Sequence, residues 1–326
     1  MRRIPVTVAV VLCLATLHAG SPSPRLRRAG QTSIPSTSTP SPAELERIVT
    51  RVLASSATYL ETFRNLAAEE TKDIQQFDKS GRVSKQRRIV GDLLVYQATR
   101  SAAEPVEYRD VREVDGKPVR ERSERALTIL QRAMRAESLA RELQVIGRES
   151  QRYDLNYHVS GLTINQGSLG PTFRSEFLVD WVGREQMDGH DVVVLDYRYT
   201  APMPLSAPLL AGLDKDVFPS FGATAVDVRA RIWADATTFQ LRRDRWQIVG
   251  LNPSVPDPLI FLNRESTYGE SRFEILTPQR IVYDFYGRTS GTKQKPSMTL
   301  TARITFAYGA FRRFEVATEE SITTPR

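Results

Sequence analysis

Residues 225–249 read AVDVRARIWADATTFQLRRDRWQIV. Polar and apolar side chains alternate through the first ten of them, which is the period of a β-strand with one buried face. Ile232 lies on the apolar face, whereas Trp233 shares the other face with aspartate and arginine. A turn at 235–238 then leads into a second strand, so the stretch predicts an antiparallel hairpin. We expect Trp233 to be partly accessible and to tolerate substitution better than Ile232.

Similar strand and turn signals recur on both sides of this hairpin. The dipeptides Asp115-Gly116 and Asp188-Gly189 are strong hairpin turns. Besides 225–234 and 239–249, the predicted strands are 66–77, 82–96, the two runs flanking Asp115-Gly116, 177–181, 191–200, 259–261, 272–276, 281–286 and 299–308. Short turns favour pairing between consecutive strands. The run Val192–Leu195 is apolar on both faces, which requires cover on both sides of the sheet or an apolar surface that binds a ligand.

Two segments carry the 3.6-residue period of amphipathic helices, 43–64 and 121–147. Ser41 precedes the first segment as an N-cap, with Glu44 three residues later. The sequence therefore predicts an α+β fold that is mostly antiparallel β. We expect one large curved sheet with two long helices packed against it.

The segment 201–222 interrupts the strand pattern, because it combines four prolines with eight large apolar residues. Prolines limit its entry into a sheet, and the apolar side chains favour burial. We expect it to lie across an apolar site with Phe218 and Phe221 as anchors. It is either a fixed plug that completes the core or a movable lid.

The first twenty residues predict a secretory signal peptide, with a charged start, an apolar stretch and small residues at its end. A Ser/Pro/Thr-rich tether follows at 21–42, then a single domain at 43–319 and a tail at 320–326. We expect an exported protein of the periplasm or cell envelope, associated with the membrane surface in one version of this prediction. An uncleaved N-terminal membrane anchor is the alternative.

Composition and motifs argue against several classes of function. Of 45 basic residues 38 are arginine, but they are scattered among 38 acidic residues, so we predict no nucleic-acid partner. The single cysteine, Cys13, lies in the leader, and neither His158 nor His190 belongs to a metal-binding or catalytic motif. We predict no metal, no cofactor and no catalytic residues. A hydrolase is the third-ranked function, because paired carboxylates alone can cleave glycosides.

The hairpin motif Ile232-Trp233-Ala234-Asp235-Ala236-Thr237-Thr238 with Leu241-Arg242-Arg243 resembles the outer-membrane lipoprotein carrier-like group of proteins, the LolA/LolB/RseB-like half-barrels. The resemblance implies an unclosed antiparallel half-barrel with helices on its concave face. It also implies a tendency to bind lipid or a lipidated protein. No ligand-contacting residue can be transferred position by position.

These observations lead to two main hypotheses of function. In the first, the protein is an exported binding module that holds an acyl chain or a lipoprotein-like ligand in its half-barrel. Trp181, Trp233, Phe218 and Phe221 are the candidate ligand-binding residues. In the second, the half-barrel is plugged, and the protein is an interaction or structural protein that binds partners through its outer face or edge strands. The sequence does not specify an oligomeric state.

Overall fold

The computed structural model describes most of the chain from residue 39 to residue 313. The described residues are 39–63, 66–96, 106–120, 139–155, 159, 163–166, 169–170, 173–205, 217–291 and 296–313. Several predictions lie outside them: the leader, the tether up to residue 38, the start of the second helix at 121–138, residues 206–216 of the apolar segment, His158 and the tail.

The long first helix begins where its capping residues predict. Helix α1 spans Pro42–Phe63, and the backbone N–H of Glu44 donates to Oγ of Ser41 at 3.2 Å. The described part of the second predicted helix, α2, spans Leu139–Ser150 and contacts the third strand of the sheet. Two single-turn helices follow, α3 at Phe173–Glu176 and α4 at Val217–Ser220.

The described strands form one antiparallel sheet of 11 strands. They are β1 Leu66–Phe77, β2 Val83–Tyr96, β3 Val106–Val114, β4 Lys117–Pro118, β5 Phe177–Met187, β6 His190–Tyr199, β7 Ala225–Asp235, β8 Leu241–Leu251, β9 Leu259–Gly269, β10 Thr277–Gly291 and β11 Pro296–Arg313. The order across the sheet is β4-β3-β2-β1-β11-β10-β9-β8-β7-β6-β5. The sheet is unclosed, with β4 and β5 at its edges, as the half-barrel prediction requires.

Tight turns connect several of the predicted neighbours. At Asp115-Gly116 and Asp188-Gly189 both residues have positive φ, between 50° and 83°. That is the geometry of a two-residue hairpin turn that matches the twist of the strands, and Asp-Gly is well suited to it. One strand prediction is wrong: residues 272–276 form the connection between β9 and β10. Its apolar residues Ile275 and Leu276 are buried as part of a turn instead.

The two faces of the sheet have different environments. We call the face that packs against α1 the inner face and the opposite one the outer face. The inner face carries the main apolar core, which joins residues of α1 to residues of every strand of the sheet except the two-residue strand β4. Ile232 belongs to this core and is 2% exposed, as predicted.

Trp233 points to the outer face as the alternation predicts, but its expected accessibility is wrong. The side chain is only 5% exposed, because it packs with Val192 and Val194 of β6 in a small separate apolar cluster. Its Nε1 donates to a carboxylate oxygen of Glu185 at 3.0 Å. The prediction that Trp233 tolerates substitution better than Ile232 rested on that accessibility, and the burial of both side chains removes its basis. The limits 43–319 of a single cooperative domain stay a prediction.

Candidate functional site

The inner face of the half-barrel is occupied by a short segment of the chain itself, residues 163–166, which we call the plug segment. Arg264 of β9 donates to its backbone at two points, the carbonyl oxygens of Thr163 at 3.0 Å and Asn165 at 2.7 Å. Tyr59 of α1 donates to the carbonyl of Ile164 at 2.8 Å. Thr163 is 1% exposed. The sheet and α1 therefore hold the segment from both sides.

Arg264 is itself held by an acidic and a phenolic partner. Its Nη1 donates to Asp244 at 2.7 Å, and its Nε donates to the hydroxyl of Tyr283 at 3.2 Å. The second oxygen of Asp244 accepts the hydroxyl of Tyr268 at 2.5 Å. Burial raises the pKa of Asp244, against the opposing effects of Arg264 and Tyr268. We assign Asp244 as ionised, since it faces a fully buried guanidinium with matched geometry.

A second buried cluster binds the first two residues of the plug segment. Arg109 of β3 donates to Glu70 at 2.8 Å, to Glu107 at 2.9 Å and to the hydroxyl of Thr163 at 2.7 Å. Glu107 also accepts the hydroxyl of Thr163 at 2.7 Å and the backbone N–H of Ile164 at 3.0 Å. Two charged clusters thus meet at Thr163, one extending to Ile164 and the other to Asn165, and each charge has an opposite partner.

The chain just after α2 is tied to the same face. Lys72 of β1 pairs with Asp154 at 2.5 Å, and both side chains are almost fully buried. Arg87 donates to the carbonyl of Tyr153 at 2.8 Å. The half-barrel is therefore filled in this region by its own chain, through ion pairs as well as apolar contacts.

The buried tyrosines predict that the protein loses stability at alkaline pH. Burial raises the pKa of each of four fully buried tyrosines above its ordinary value of 10.0, namely Tyr59, Tyr268, Tyr283 and Tyr308. The unfolded chain loses these protons first, so the stabilisation is complete below about pH 10 and is lost as the pH rises toward the folded-state values. We expect urea unfolding midpoints that fall steeply above about pH 10.

Unfolding curves at several alkaline pH values, with tyrosinate absorbance as a second signal, measure this effect. Tyr283→Phe removes one of the four groups and should make the fall with pH shallower. Reversible ionisation of all tyrosines near pH 10 in the folded protein, without loss of stability, would contradict the assignment.

The described ends of the apolar segment 201–222 are fixed to the inner-face core. Met203 and Val226 exchange two backbone hydrogen bonds of 2.7 and 2.9 Å. Phe218 and Phe221 are both 2% exposed and pack on Phe261 at ring-centroid distances of 4.5 and 5.1 Å. The prediction that these two phenylalanines insert as anchors is confirmed. Whether the segment is a plug or a lid stays open.

The hairpin motif that carries the family resemblance is stabilised by hydrogen bonds to the carboxylate of Asp235. One oxygen of its carboxylate accepts the backbone N–H groups of Thr237 and Thr238 at 3.0 Å, and the other accepts Nε of Arg242 at 2.9 Å. Burial acts to raise the pKa of Asp235, but these donors outweigh it and hold the pKa below its usual value. Arg51 of α1 stacks on Phe239 at 3.9 Å, so the turn also anchors the helix.

The four predicted ligand-binding residues are not brought together in one site. Phe218 and Phe221 lie in the inner-face core, and Trp181 is a half-buried residue packed against the same core. Trp233 lies on the outer face. A ligand-binding role for each of them remains a prediction.

The outer face carries a groove that the sequence analysis did not identify. It has a volume of about 450 Å³ and lies across β5 to β8. We call it the outer-face groove and define it by its six charged lining residues, Asp180, Asp196, Arg198, Arg229, Arg231 and Arg245. Four arginines against two aspartates give it a formal charge of +2.

A sequence signal for this groove was present in the alternation of β7. Arg229 and Arg231 fall on its polar face, and Arg245 lies on the next strand of the same hairpin. Strand alternation alone predicts such residues to be ordinary solvent-facing side chains. The concentration of arginine on one face becomes visible only when the register of β5 and β6 adds Arg198 and the two aspartates.

Within the described part of the chain, no group of three or more His, Cys, Asp or Glu side chains is arranged to hold a metal ion. His190 is half-exposed and lies 3.7 Å from Asp235. In the same residues, no helix combines the length and the apolar character needed to cross a membrane.

No family model matches the chain, and no curated protein matches it either. Among solved structures it is similar to a domain described as an outer membrane lipoprotein-sorting protein from Vibrio parahaemolyticus. That domain is 10% identical, the match covers 84% of this chain and 95% of the domain, and the TM-score is 0.35.

Two further solved structures are similar over comparable lengths. A DUF1329 family protein from Desulfovibrio piger is 10% identical over 84% of this chain and 95% of its own, with a TM-score of 0.33. A chain of the Pseudomonas aeruginosa MucA/MucB complex is 9% identical over 83% of this chain and 100% of its own, with a TM-score of 0.22. At these scores the likeness carries no conclusion about function, and the fold assignment rests on the strand order of the sheet.

Proposed function

We propose that this protein is an exported, non-enzymatic binding protein whose half-barrel is filled by its own chain and which binds a partner protein through its outer face. The observation that carries the proposal is the fixation of the plug segment. Arg264, Tyr59, Arg109 and Glu107 direct six hydrogen bonds at residues 163–165. A ligand entering this part of the inner face would have to displace them and leave buried charges unpaired.

Three acidic residues of the sheet, Asp196, Asp227 and Asp235, are each bound by an arginine, which favours a binding role over the glycoside cleavage of the third-ranked hypothesis. Asp196 accepts two hydrogen bonds from Arg231, at 2.6 and 2.8 Å. Asp227 accepts from Arg229 at 3.2 Å, and Asp235 is occupied by its turn and Arg242. Each of the three carboxylates is already bound by an arginine, and hydrogen bonds hold the pKa of Asp235 below its usual value, which does not suit a general acid.

Export is proposed from the leader-like residues 1–20. The location is then the periplasm or cell envelope, with an N-terminal anchor as the alternative if the leader is retained. N-terminal sequencing of the protein from its host distinguishes the two.

An acyl-chain or lipoprotein-like ligand in the half-barrel is the second candidate function. The observation that favours it is the apolar cluster of Phe218, Phe221 and Phe261 beside the segment 201–222. Such a ligand would require the segment to move and the two anchors to leave the core. In that case the segment is a lid.

Two measurements on the full-length protein test the leading proposal. Native mass spectrometry and titration with an apolar fluorescent probe should show no bound lipid and no displaceable probe. A photo-cross-linking residue at Leu178 on the outer face should form an adduct with one defined partner in the native host. The same photo-cross-linking amino acid placed at Val83, which is similarly exposed near the opposite edge of the sheet, should form no such adduct. Stoichiometric co-purified lipid would replace the leading proposal with the second candidate.

A further inference from the structure

The outer-face groove places like charges directly opposite each other on neighbouring strands. In the register of β6, β7 and β8, Arg198 stands opposite Arg229, and Arg231 stands opposite Arg245. Like-charged residues at directly opposed positions destabilise a sheet. The arrangement therefore lowers stability unless counter-charges are supplied.

Among the described residues, ion pairs neutralise two of these four arginines. Asp196 forms a two-bond pair with Arg231, and Asp227 pairs with Arg229 at 3.2 Å. In the part of the chain that the structure describes, Arg198 and Arg245 have no carboxylate within ion-pair distance. Glu265, the cross-strand neighbour of Arg245, binds Arg243 at 2.8 Å instead.

Arg245 is also partly preorganised by an aromatic ring. Its guanidinium carbon lies 5.9 Å from the ring centroid of Trp233, and those of Arg243 and Arg231 lie at 4.7 and 6.0 Å. Trp233 is fixed in turn by Glu185 and by the valines of β6. A buried ring that holds guanidinium groups at the surface reduces the conformational entropy that is lost when an anionic ligand binds and orders them.

We propose, on the basis of the outer-face binding proposed above, that the outer-face groove binds an acidic, extended segment of a partner protein. Arg198 and Arg245 receive its carboxylates. The two arginines lie two strands and one two-residue step apart, which is about 12 Å between their Cα atoms in a regular sheet. Carboxylates four residues apart in an extended chain span about 13 Å, so one segment reaches both guanidinium groups.

Apolar contacts at the border of the groove favour a peptide over a simple anion. Leu178 stands opposite Arg198 on edge strand β5, and Leu178 and Val182 are each 42% exposed. No other described strand pairs with the free side of β5. A peptide supplies apolar side chains for Leu178 and Val182 together with carboxylates for the arginines, whereas inorganic phosphate supplies only charge.

The test uses fluorescence anisotropy of a labelled twelve-residue peptide in which Glu alternates with Val and Thr, with a Gln-for-Glu peptide as comparison. We expect the full-length protein to bind the acidic peptide, with an affinity that falls as the salt concentration increases, and to show no binding of the Gln peptide. The double variant Arg198→Gln/Arg245→Gln should lower the affinity at least tenfold. Its unfolding midpoint should be unchanged or raised, because the variant removes both like-charge contacts.

A matched control removes the same amount of charge elsewhere. Lys79→Ala/Lys85→Ala alters two exposed lysines at the β1–β2 hairpin and should change peptide affinity less than twofold. An equal loss in the control variant, or no binding by the wild type, would overturn the inference. Displacement of the peptide by millimolar inorganic phosphate, or groove-dependent binding to anionic phospholipid vesicles without peptide binding, would overturn it as well.

The photo-cross-linking experiment separates this inference from the proposed function. A defined adduct at Leu178 that persists in Arg198→Gln/Arg245→Gln would leave outer-face binding in place and refute the acidic-segment proposal alone. Absence of any adduct at Leu178 would count against both.

Discussion

Replacement of Arg264 by Ala is expected to lower the free energy of unfolding by about 3–5 kcal/mol, the range for breaking a buried ion pair by removing one partner. Arg264 is 1% exposed and makes four hydrogen bonds, one to Asp244, one to Tyr283 and two to the backbone of the plug segment. Its loss leaves Asp244 charged in a buried site and two carbonyl groups without their donor. Urea unfolding of the full chain at neutral pH measures the change.

An arginine–aspartate pair with a half-exposed arginine on the other face is the control. Arg303 makes two hydrogen bonds to Asp284, at 2.6 and 2.9 Å, but its side chain is 42% exposed. Water and salt screen this pair, so Arg303→Ala should cost about 1 kcal/mol or less. Similar losses for the two variants would show that the inner face around Arg264 is open to water, and that the plug segment does not fill it.

A second pair of variants tests Arg264 through its partner. Asp244→Asn removes the opposite charge, and the double variant with Arg264→Met removes both. The double variant should recover part of the loss, because no unpaired charge remains buried. Strictly additive losses would mean that Arg264 acts through the plug carbonyls alone.

Replacement of Phe218 and Phe221 together by Ala is expected to be the most destabilising change in the apolar core. A buried Phe→Ala substitution costs about 3–5 kcal/mol, and these two rings share a neighbour in Phe261, so their losses will not be strictly additive. The carbonyl of Phe221 also accepts a hydrogen bond from Asn252 at 2.9 Å. If segment 201–222 is a plug, the variant loses stability and gains no probe binding.

The same variant separates the plug from the lid. A lid predicts a protein that stays folded and shows raised or altered binding of an apolar fluorescent probe. Phe273→Ala, in the half-buried β9–β10 connection, is the control and should cost less than either anchor. If the double anchor variant loses stability in the absence of probe while Phe273→Ala stays close to wild type, segment 201–222 is a fixed plug. That outcome supports the leading proposal of a filled half-barrel.

Local patterns determined much of the fold. The alternation around Ile232, the Asp-Gly turns and the capped start of α1 at Pro42 are decided by neighbours within a few residues, so they can be seen in the sequence. The same locality explains the error at 272–276, where apolar residues that could form a strand are buried in a turn. Periodicity reports which side chains are buried, and a turn can bury them as well as a strand can.

Contacts between residues far apart in the sequence determine both the clusters around the plug segment and the outer-face groove. Nothing near Arg264 or Arg109 in the sequence indicates that both bind Thr163, because these partners are 101 and 54 positions apart. Trp233 is buried for the same reason, since only the register of β6 brings two valines against it. A strand's alternation assigns a residue to a face, but the strands and segments that pack on that face decide whether the residue meets water, a counter-charge or another ring.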